Sequence, residues 1–131
     1  MLFSFLQLKL LKTKIPENFS VASQPLSLLL PSALMAIGHS TGSLIEAAVL
    51  GIPSIDIQYP NKFSHDYMSE IGQGVIWGQA EDAEGVRNLI AQFKNTIEKN
   101  SILLKEEGLR IRSFYFSEPT DELIGRAFEL V

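Results

Sequence analysis

The chain has 131 residues, of which 46% are apolar and 20% are charged, and its formal net charge is −4. These values are typical of a soluble globular domain, and the absence of a basic stripe argues against a nucleic-acid partner held through its phosphates. Cysteine is absent, which excludes disulfides and thiolate metal sites, and the two histidines lie too far apart in sequence to indicate a zinc centre.

The N-terminal residues 1–11 are apolar, but their pattern does not favour a signal peptide or a membrane anchor. Gln7 and Lys9 interrupt the run, no basic segment precedes it and no small-residue cleavage site follows it. No run in the chain approaches the ~20 apolar residues that span a bilayer. We therefore expect a cytoplasmic protein in which residues 1–131 form a single domain without a transmembrane segment.

The first part of the chain predicts short strands and one small helix. Leucines alternate with polar residues over 6–10, which predicts a strand, and residues 19–22 predict a second one. Pro25 suits the first turn of a small helix that Pro31 ends. An apolar run over residues 34–37 predicts the next strand.

A polar turn follows this strand and leads into a helix. Residues 39–43 are small and polar, and the apolar spacing over 44–50 predicts a helix. Gly51 suits the left-handed position beyond a helix end, and residues 53–57 alternate like a strand. A strand, a tight turn and a helix start together favour anion binding, because free backbone N–H groups and the helix dipole are directed at the ligand.

The remaining elements are a short helix over 65–71 that ends at Gly72, a strand over 75–77, and helices over 80–99, 103–116 and 120–130. The helix over 80–99 has the clearest period, with acidic residues near its start and Lys99 near its end. Thr120 suits the N-cap of the last helix.

Strands that alternate with helices predict a parallel sheet, here a three-layer Rossmann-like α/β fold with helices on both faces. Such sheets bind ligands at the carboxyl ends of their strands, where the loops gather. The turn over residues 39–42 lies at such an end.

The sequence resembles the C-terminal lobe of GT-B glycosyltransferases and of their relatives, the UDP-N-acetylglucosamine 2-epimerases. The two share a motif with three parts in the same order: a small polar turn, a Glu-Ala pair and a Gly-x-Pro. In this chain the motif runs from Gly38 through Glu46 to Pro53. The resemblance covers about residues 18–77, and the C-terminal helix more loosely. It implies one lobe of a GT-B fold, hence a partial domain, and a nucleotide-diphosphate sugar bound without a metal ion or another cofactor.

The resemblance also implies a donor site, which comprises His39, Ser40, Thr41, Gly42, Ser43 and Glu46. Ser40, Thr41 and Gly42 match the turn that holds the donor diphosphate, and Glu46 matches the glutamate that binds the ribose hydroxyls. The chemistry is consistent, since a diphosphate needs N–H and hydroxyl donors, and one carboxylate accepts bonds from two vicinal hydroxyls. His39 is suited to donate to a phosphate or to a sugar hydroxyl.

Structural interpretations of the same residues remain open. Ser43 and Glu46 also match a capping box, in which Glu46 bonds a backbone N–H. Ser40 and Thr41 are also typical of an N-cap, and His39 of a half-buried residue with protein partners.

His65 and Asp66 have the composition of a catalytic pair, and both stay candidates for catalysis. Adjacent residues of a helix do not face each other, however. Asp66 also suits the start of a short helix, where a carboxylate is favourable.

The sequence departs from the family in two respects. GT-B enzymes place their site between two lobes, and the acceptor lobe, where they commonly keep their base, has no counterpart here. We expect a separate acceptor-lobe chain, a homo-oligomer, or a fragment that is inactive alone. The epimerases also carry a charged loop with a Glu-Arg pair, which residues 58–66 lack.

We therefore expect the donor-binding lobe of a glycosyltransferase in surface or capsular polysaccharide synthesis. The alternatives are an epimerase-like protein and a non-catalytic domain that binds a nucleotide or a partner chain.

Overall fold

The computed structural model describes residues 17–60 and 66–128. Within these residues the chain forms a three-stranded parallel sheet in the order β1-β2-β3, with β1 at Ala36–Gly38, β2 at Ser54–Ile57 and β3 at Trp77–Ala80. In register, Asp56 lies between Gly38 on one side and Gln79 on the other. The α/β class and the parallel sheet agree with the sequence prediction.

The described residues form five α-helices: α1 (Leu26–Leu29), α2 (Ser43–Val49), α3 (Ala83–Lys99), α4 (Ser101–Tyr115) and α5 (Asp121–Ala127), with 3-10 turns at Leu30–Ser32 and Ser69–Ile71. Asp82, Asn100 and Thr120 cap α3, α4 and α5, and each side chain accepts a backbone N–H of the first helical turn. These three helices confirm the predicted ones to within a few residues. The predicted end of the last helix, at residue 130, lies outside the described residues.

Helices flank the sheet, and residues of β2 and β3 pack against different helices. Ile55 of β2 clusters with Phe93 of α3. Trp77 of β3 instead clusters with Leu104 and Ile111 of α4. Most residues of β2 and β3 are buried. Since successive side chains of a strand point to opposite faces, both faces of these strands are covered.

Two glycines let helices approach the core closely. Gly78 lies inside β3, where a Cβ would be 2.7 Å from Cδ2 of Leu89 on α3. Gly108 lies inside α4, where a Cβ would be 2.8 Å from the backbone nitrogen of Gly51. Gly51 has the left-handed φ of 79° that its position after α2 predicts.

The predicted strand over 75–77 is displaced, since β3 runs through Gly78 instead of ending before it.

The prediction of a strand over residues 19–22 is wrong. This segment is irregular, and Phe19 and Val21 are 66% and 49% exposed. A strand needs a neighbour for its backbone groups, and no strand of the described residues pairs with this one. The predicted strand over 6–10 lies outside the described residues.

The predicted helix over residues 65–71 is reduced to the 3-10 turn at Ser69–Ile71. Oδ1 of Asp66 accepts the N–H of Met68 at 3.0 Å. This local side-chain bond competes with a first helical turn, as aspartate often does. His65 lies outside the described residues.

In the part of the chain that the structure covers, no helix combines the length and the apolar character needed to cross a bilayer.

Candidate functional site

The turn over residues 39–42 joins the carboxyl end of β1 to the start of α2, as the sequence predicts. Gly38 allows the turn to fold back over the strand, because a Cβ there would be 2.8 Å from Cγ2 of Thr41. Ser40 has a φ of 44°, in the left-handed region that residues with a Cβ rarely adopt. The turn therefore has a specific and locally unfavourable backbone conformation.

Two hydrogen bonds hold the turn against the end of β2. Nδ1 of His39 donates to the backbone carbonyl of Ile57 at 2.6 Å, and the backbone N–H of Ser40 donates to Oδ1 of Asp56 at 3.2 Å. The ring of Tyr59 packs edge-to-face on the His39 ring, with 4.7 Å between the ring centroids. The turn is thus fixed from the neighbouring strand and from the loop that follows it.

The bond to Ile57 also fixes the role of each nitrogen of His39. A carbonyl oxygen only accepts, so Nδ1 carries a proton, and Nε2 is the acceptor of the neutral ring. His39 can therefore meet both expectations at once. Its Nδ1 bonds a protein partner, while its Nε2 can contact a ligand. The neutral ring would accept a hydrogen bond from a hydroxyl, whereas only the protonated ring would donate to a phosphate.

The start of α2 does not form the capping box that Ser43 and Glu46 resemble. The N-cap is Gly42, and Ser43 is the first helical residue. Oγ1 of Thr41 accepts the N–H of Ser43 at 3.3 Å, so Thr41 does contribute to the helix start. The carboxylate of Glu46 is exposed and accepts no hydrogen bond from the described residues.

Some polar groups of the turn remain available to a ligand. The backbone N–H groups of Thr41 and Gly42 donate to no acceptor within residues 17–60 and 66–128. Glu46 lies in the first turn of α2, one helical turn beyond Gly42. N–H donors and a carboxylate that have no partner among the described residues are therefore held on the same short segment.

Asp56 is a site residue that the motif analysis did not identify. The residue is only 4% exposed, and its carboxylate accepts bonds from the Ser40 N–H and from the side-chain amide of Gln58. Burial raises the pKa of Asp56, and the charge of Asp66 adds to the rise, while the two hydrogen bonds and His39 oppose it. A lone carboxylate near the end of an apolar strand was the signal in the sequence, since such residues are rarely buried without a specific partner.

Asp66 lies at the same edge of the sheet, which places this catalytic candidate close to the turn. Its Oδ2 accepts the side-chain amide of Gln79 at 2.7 Å, and Gln79 is the register partner of Asp56. Since His65 lies outside the described residues, the proposed His65–Asp66 pair stays a prediction.

No lysine or arginine of the described residues belongs to the turn or to the three strands. The described lysines and arginines are all on α3, α4 and α5. The described residues also hold no group of three or more His, Asp or Glu side chains placed to ligate one metal ion. An anion bound at the described part of the turn would therefore be held by backbone and hydroxyl donors.

Comparison with known proteins identifies no relative, because no protein-family model, curated protein or solved structure matches the chain. A proposed function consequently depends on the geometry of the turn and on the motif from Gly38 to Pro53.

Proposed function

We propose that this chain is the donor-binding lobe of a GT-B-type glycosyltransferase that acts in surface or capsular polysaccharide synthesis. The three-stranded sheet and its flanking helices would belong to a three-layer Rossmann-like domain of that fold. One observation carries the proposal: the turn over residues 39–42 leaves the N–H groups of Thr41 and Gly42 without acceptors in the described chain, beside an unpaired carboxylate at Glu46.

The diphosphate would bind at the turn. The N–H groups of Thr41 and Gly42, with the hydroxyl of Ser43, would supply donors to phosphate oxygens, and Ser40 would complete the turn. Backbone donors whose positions are fixed before binding cost little reorganisation, so they stabilise charge more effectively than mobile side chains do. This matches the turn itself, which contains no lysine or arginine.

The ribose would bind at Glu46. Its carboxylate has no partner among the described residues, so it can accept bonds from two vicinal hydroxyls without first breaking a protein contact. Nε2 of His39 is an additional acceptor for a hydroxyl of the sugar. Both groups favour a ligand that carries hydroxyls as well as phosphate, which a nucleotide sugar does.

In the transfer reaction, this lobe would stabilise the departing nucleoside diphosphate while the sugar moves to an acceptor hydroxyl. The base that deprotonates the acceptor would come from an acceptor lobe outside these residues. Ile37, in the middle of β1, is 50% exposed, and Leu34, which precedes β1, is 72% exposed. These apolar side chains are consistent with an associating surface near the site. The chain alone is expected to bind the donor without turnover.

Calorimetric titration with UDP, CDP and GDP tests the proposal. We expect one nucleotide to bind the wild-type chain, and Glu46→Ala to weaken that binding about tenfold or more, as the loss of a charged hydrogen-bond partner does. Glu84→Ala is the matched control, because Glu84 is the exposed acidic residue in the first turn of α3. If no nucleotide binds at millimolar concentration, or if both substitutions act equally, the proposal fails.

A further inference from the structure

We propose that Asp56 is a positioning residue that holds the turn over residues 39–42 in its ligand-binding conformation. Asp56 belongs to the same site, so the expected effect of Asp56 on nucleotide binding rests on the proposed function. Asp56 lies directly opposite Gly38, the residue that precedes the turn. No motif assigned a role to this side chain.

The contacts of Asp56 are those of a fixed acceptor. Asp56 is a buried residue, and its carboxylate accepts a bond from Ser40 on one oxygen and from Gln58 on the other. A buried carboxylate is tolerated only where donors compensate for the lost water, so it cannot leave this arrangement without cost. The carboxylate therefore fixes the position of the Ser40 N–H.

The conformation of Ser40 explains why such an acceptor is needed. Its φ of 44° is unfavourable for a residue with a Cβ, and the surrounding structure has to compensate. The bond to Asp56 directs the Ser40 N–H toward the sheet, whereas the N–H groups of Thr41 and Gly42 find no acceptor within the described chain. Without the bond, Ser40 would relax toward common backbone angles and the next two N–H groups would lose their fixed direction.

The charge of Asp56 is not what the site requires. A carboxylate next to a bound diphosphate repels it, and the carboxylate of Asp66 adds charge of the same sign, while His39 partly offsets it. Asparagine should therefore serve the turn at least as well, because its oxygen can accept the Ser40 N–H while the Gln58 amide turns over to accept from the asparagine N–H groups. This separates a positioning role from an electrostatic or catalytic one.

The bond is tested first without ligand, in the whole chain, by NMR. We expect the chemical shift of the Ser40 amide to follow the titration of the Asp56 carboxyl carbon in the wild type, and this transition to be absent from Asp56→Asn. A Ser40 amide that does not follow Asp56 overturns the proposal. This measurement needs no destabilised variant, and it decides the question whether or not a nucleotide binds.

The consequence for the ligand is tested by titrating UDP into Asp56→Asn and Asp56→Ala. We expect Asp56→Asn to bind as tightly as the wild type or more tightly, and Asp56→Ala to bind about tenfold more weakly. Asp82→Ala is the matched control, because the Asp82 carboxylate also accepts a backbone N–H, that of Gly85 at 2.7 Å, but at the start of α3. It should lower stability and leave UDP binding unchanged.

The outcomes separate the two proposals. Equal UDP binding by wild type and Asp56→Ala overturns the positioning role while the proposed function stands. Weak binding by Asp56→Asn also overturns it, because the charge would then be required. If the wild type does not bind UDP, CDP or GDP, the proposed function fails, and the Ser40 titration still decides whether Asp56 positions the turn. If Asp56→Ala does not fold, Asp56→Asn and the Ser40 titration decide.

Discussion

Nδ1 of His39 donates a 2.6 Å hydrogen bond to the backbone carbonyl of Ile57, across the carboxyl ends of β1 and β2. The bond links the first residue of the turn to the neighbouring strand, so the turn and the sheet edge form one structural unit. It also determines which histidine nitrogen faces a ligand as an acceptor. If the turn binds a ligand as proposed, this bond holds its first residue in place before the ligand arrives.

Substitutions of His39 should distinguish the Nδ1 bond from simple packing. Asparagine can place its side-chain amide near the position of Nδ1 and so keep the bond to Ile57, while glutamine reaches the position of Nε2 instead. We expect His39→Ala and His39→Gln to lower the free energy of unfolding by about 1 kcal/mol more than His39→Asn does. Urea unfolding measures the difference, and equal losses in all three variants would contradict the assigned bond.

The raised pKa of Asp56 predicts a pH dependence of stability. The group ionises less readily in the folded chain than at its ordinary value of 3.8, so its contribution to stability is complete below that pH and is lost as the pH rises through the folded pKa. Asn at position 56 does not titrate. The stability of Asp56→Asn relative to wild type should therefore increase as the pH rises from about 4 to 7.

Urea unfolding of both proteins across this range measures the trend, and the other titrating groups largely cancel in the comparison. A relative stability that stays flat, or that falls with pH, would show that burial does not raise the pKa of this carboxyl.

Alanine at Gly108 should be strongly destabilising. A Cβ there would meet the backbone at 2.8 to 2.9 Å, at the nitrogen of Gly51 and the carbonyl oxygens of Ala48 and Val49. Backbone atoms cannot move aside as a flexible side chain can, so we expect a loss of about 2 kcal/mol or more despite the better helix propensity of alanine. Thermal unfolding measures it.

Alanine at Gly78 should cost less stability than alanine at Gly108, and alanine at Gly74 is the control. At Gly78 the nearest atom is the end of the Leu89 side chain, which can rotate, so we expect a smaller loss of about 1 kcal/mol. At Gly74 no atom lies within 4 Å of an added Cβ, so stability should change little. A different order of the three variants would contradict the packing of α3 and α4 described above.

The sequence was most informative where structure depends on local signals. The helices α3, α4 and α5 follow from their apolar spacing and from caps such as Asp82 and Thr120, which act within one turn. The left-handed Gly51 likewise needs only the preceding helix. Local chemistry also locates the turn at the end of β1, which is why this part of the candidate site could be predicted.

The errors arise where structure depends on distant contacts. Residues 19–22 have the composition of a strand but lack a pairing neighbour in the described chain. The sequence predicts that Gly78 ends a strand. In the structure Gly78 lies inside β3, where the missing Cβ leaves room for the side chain of Leu89. Asp56 was overlooked because its role depends on the pairing of β1 with β2, which brings Ser40 within reach.

The central claim is that the turn over residues 39–42 binds the diphosphate of a nucleotide, and a nucleotide titration followed by amide NMR tests it most directly. We predict that UDP, CDP or GDP shifts the Thr41 and Gly42 amide signals more than any others in the chain, with saturation at the calorimetric affinity. Thr41 and Gly42 signals that stay in place up to millimolar nucleotide, or saturating shifts confined to another surface, would contradict the claim.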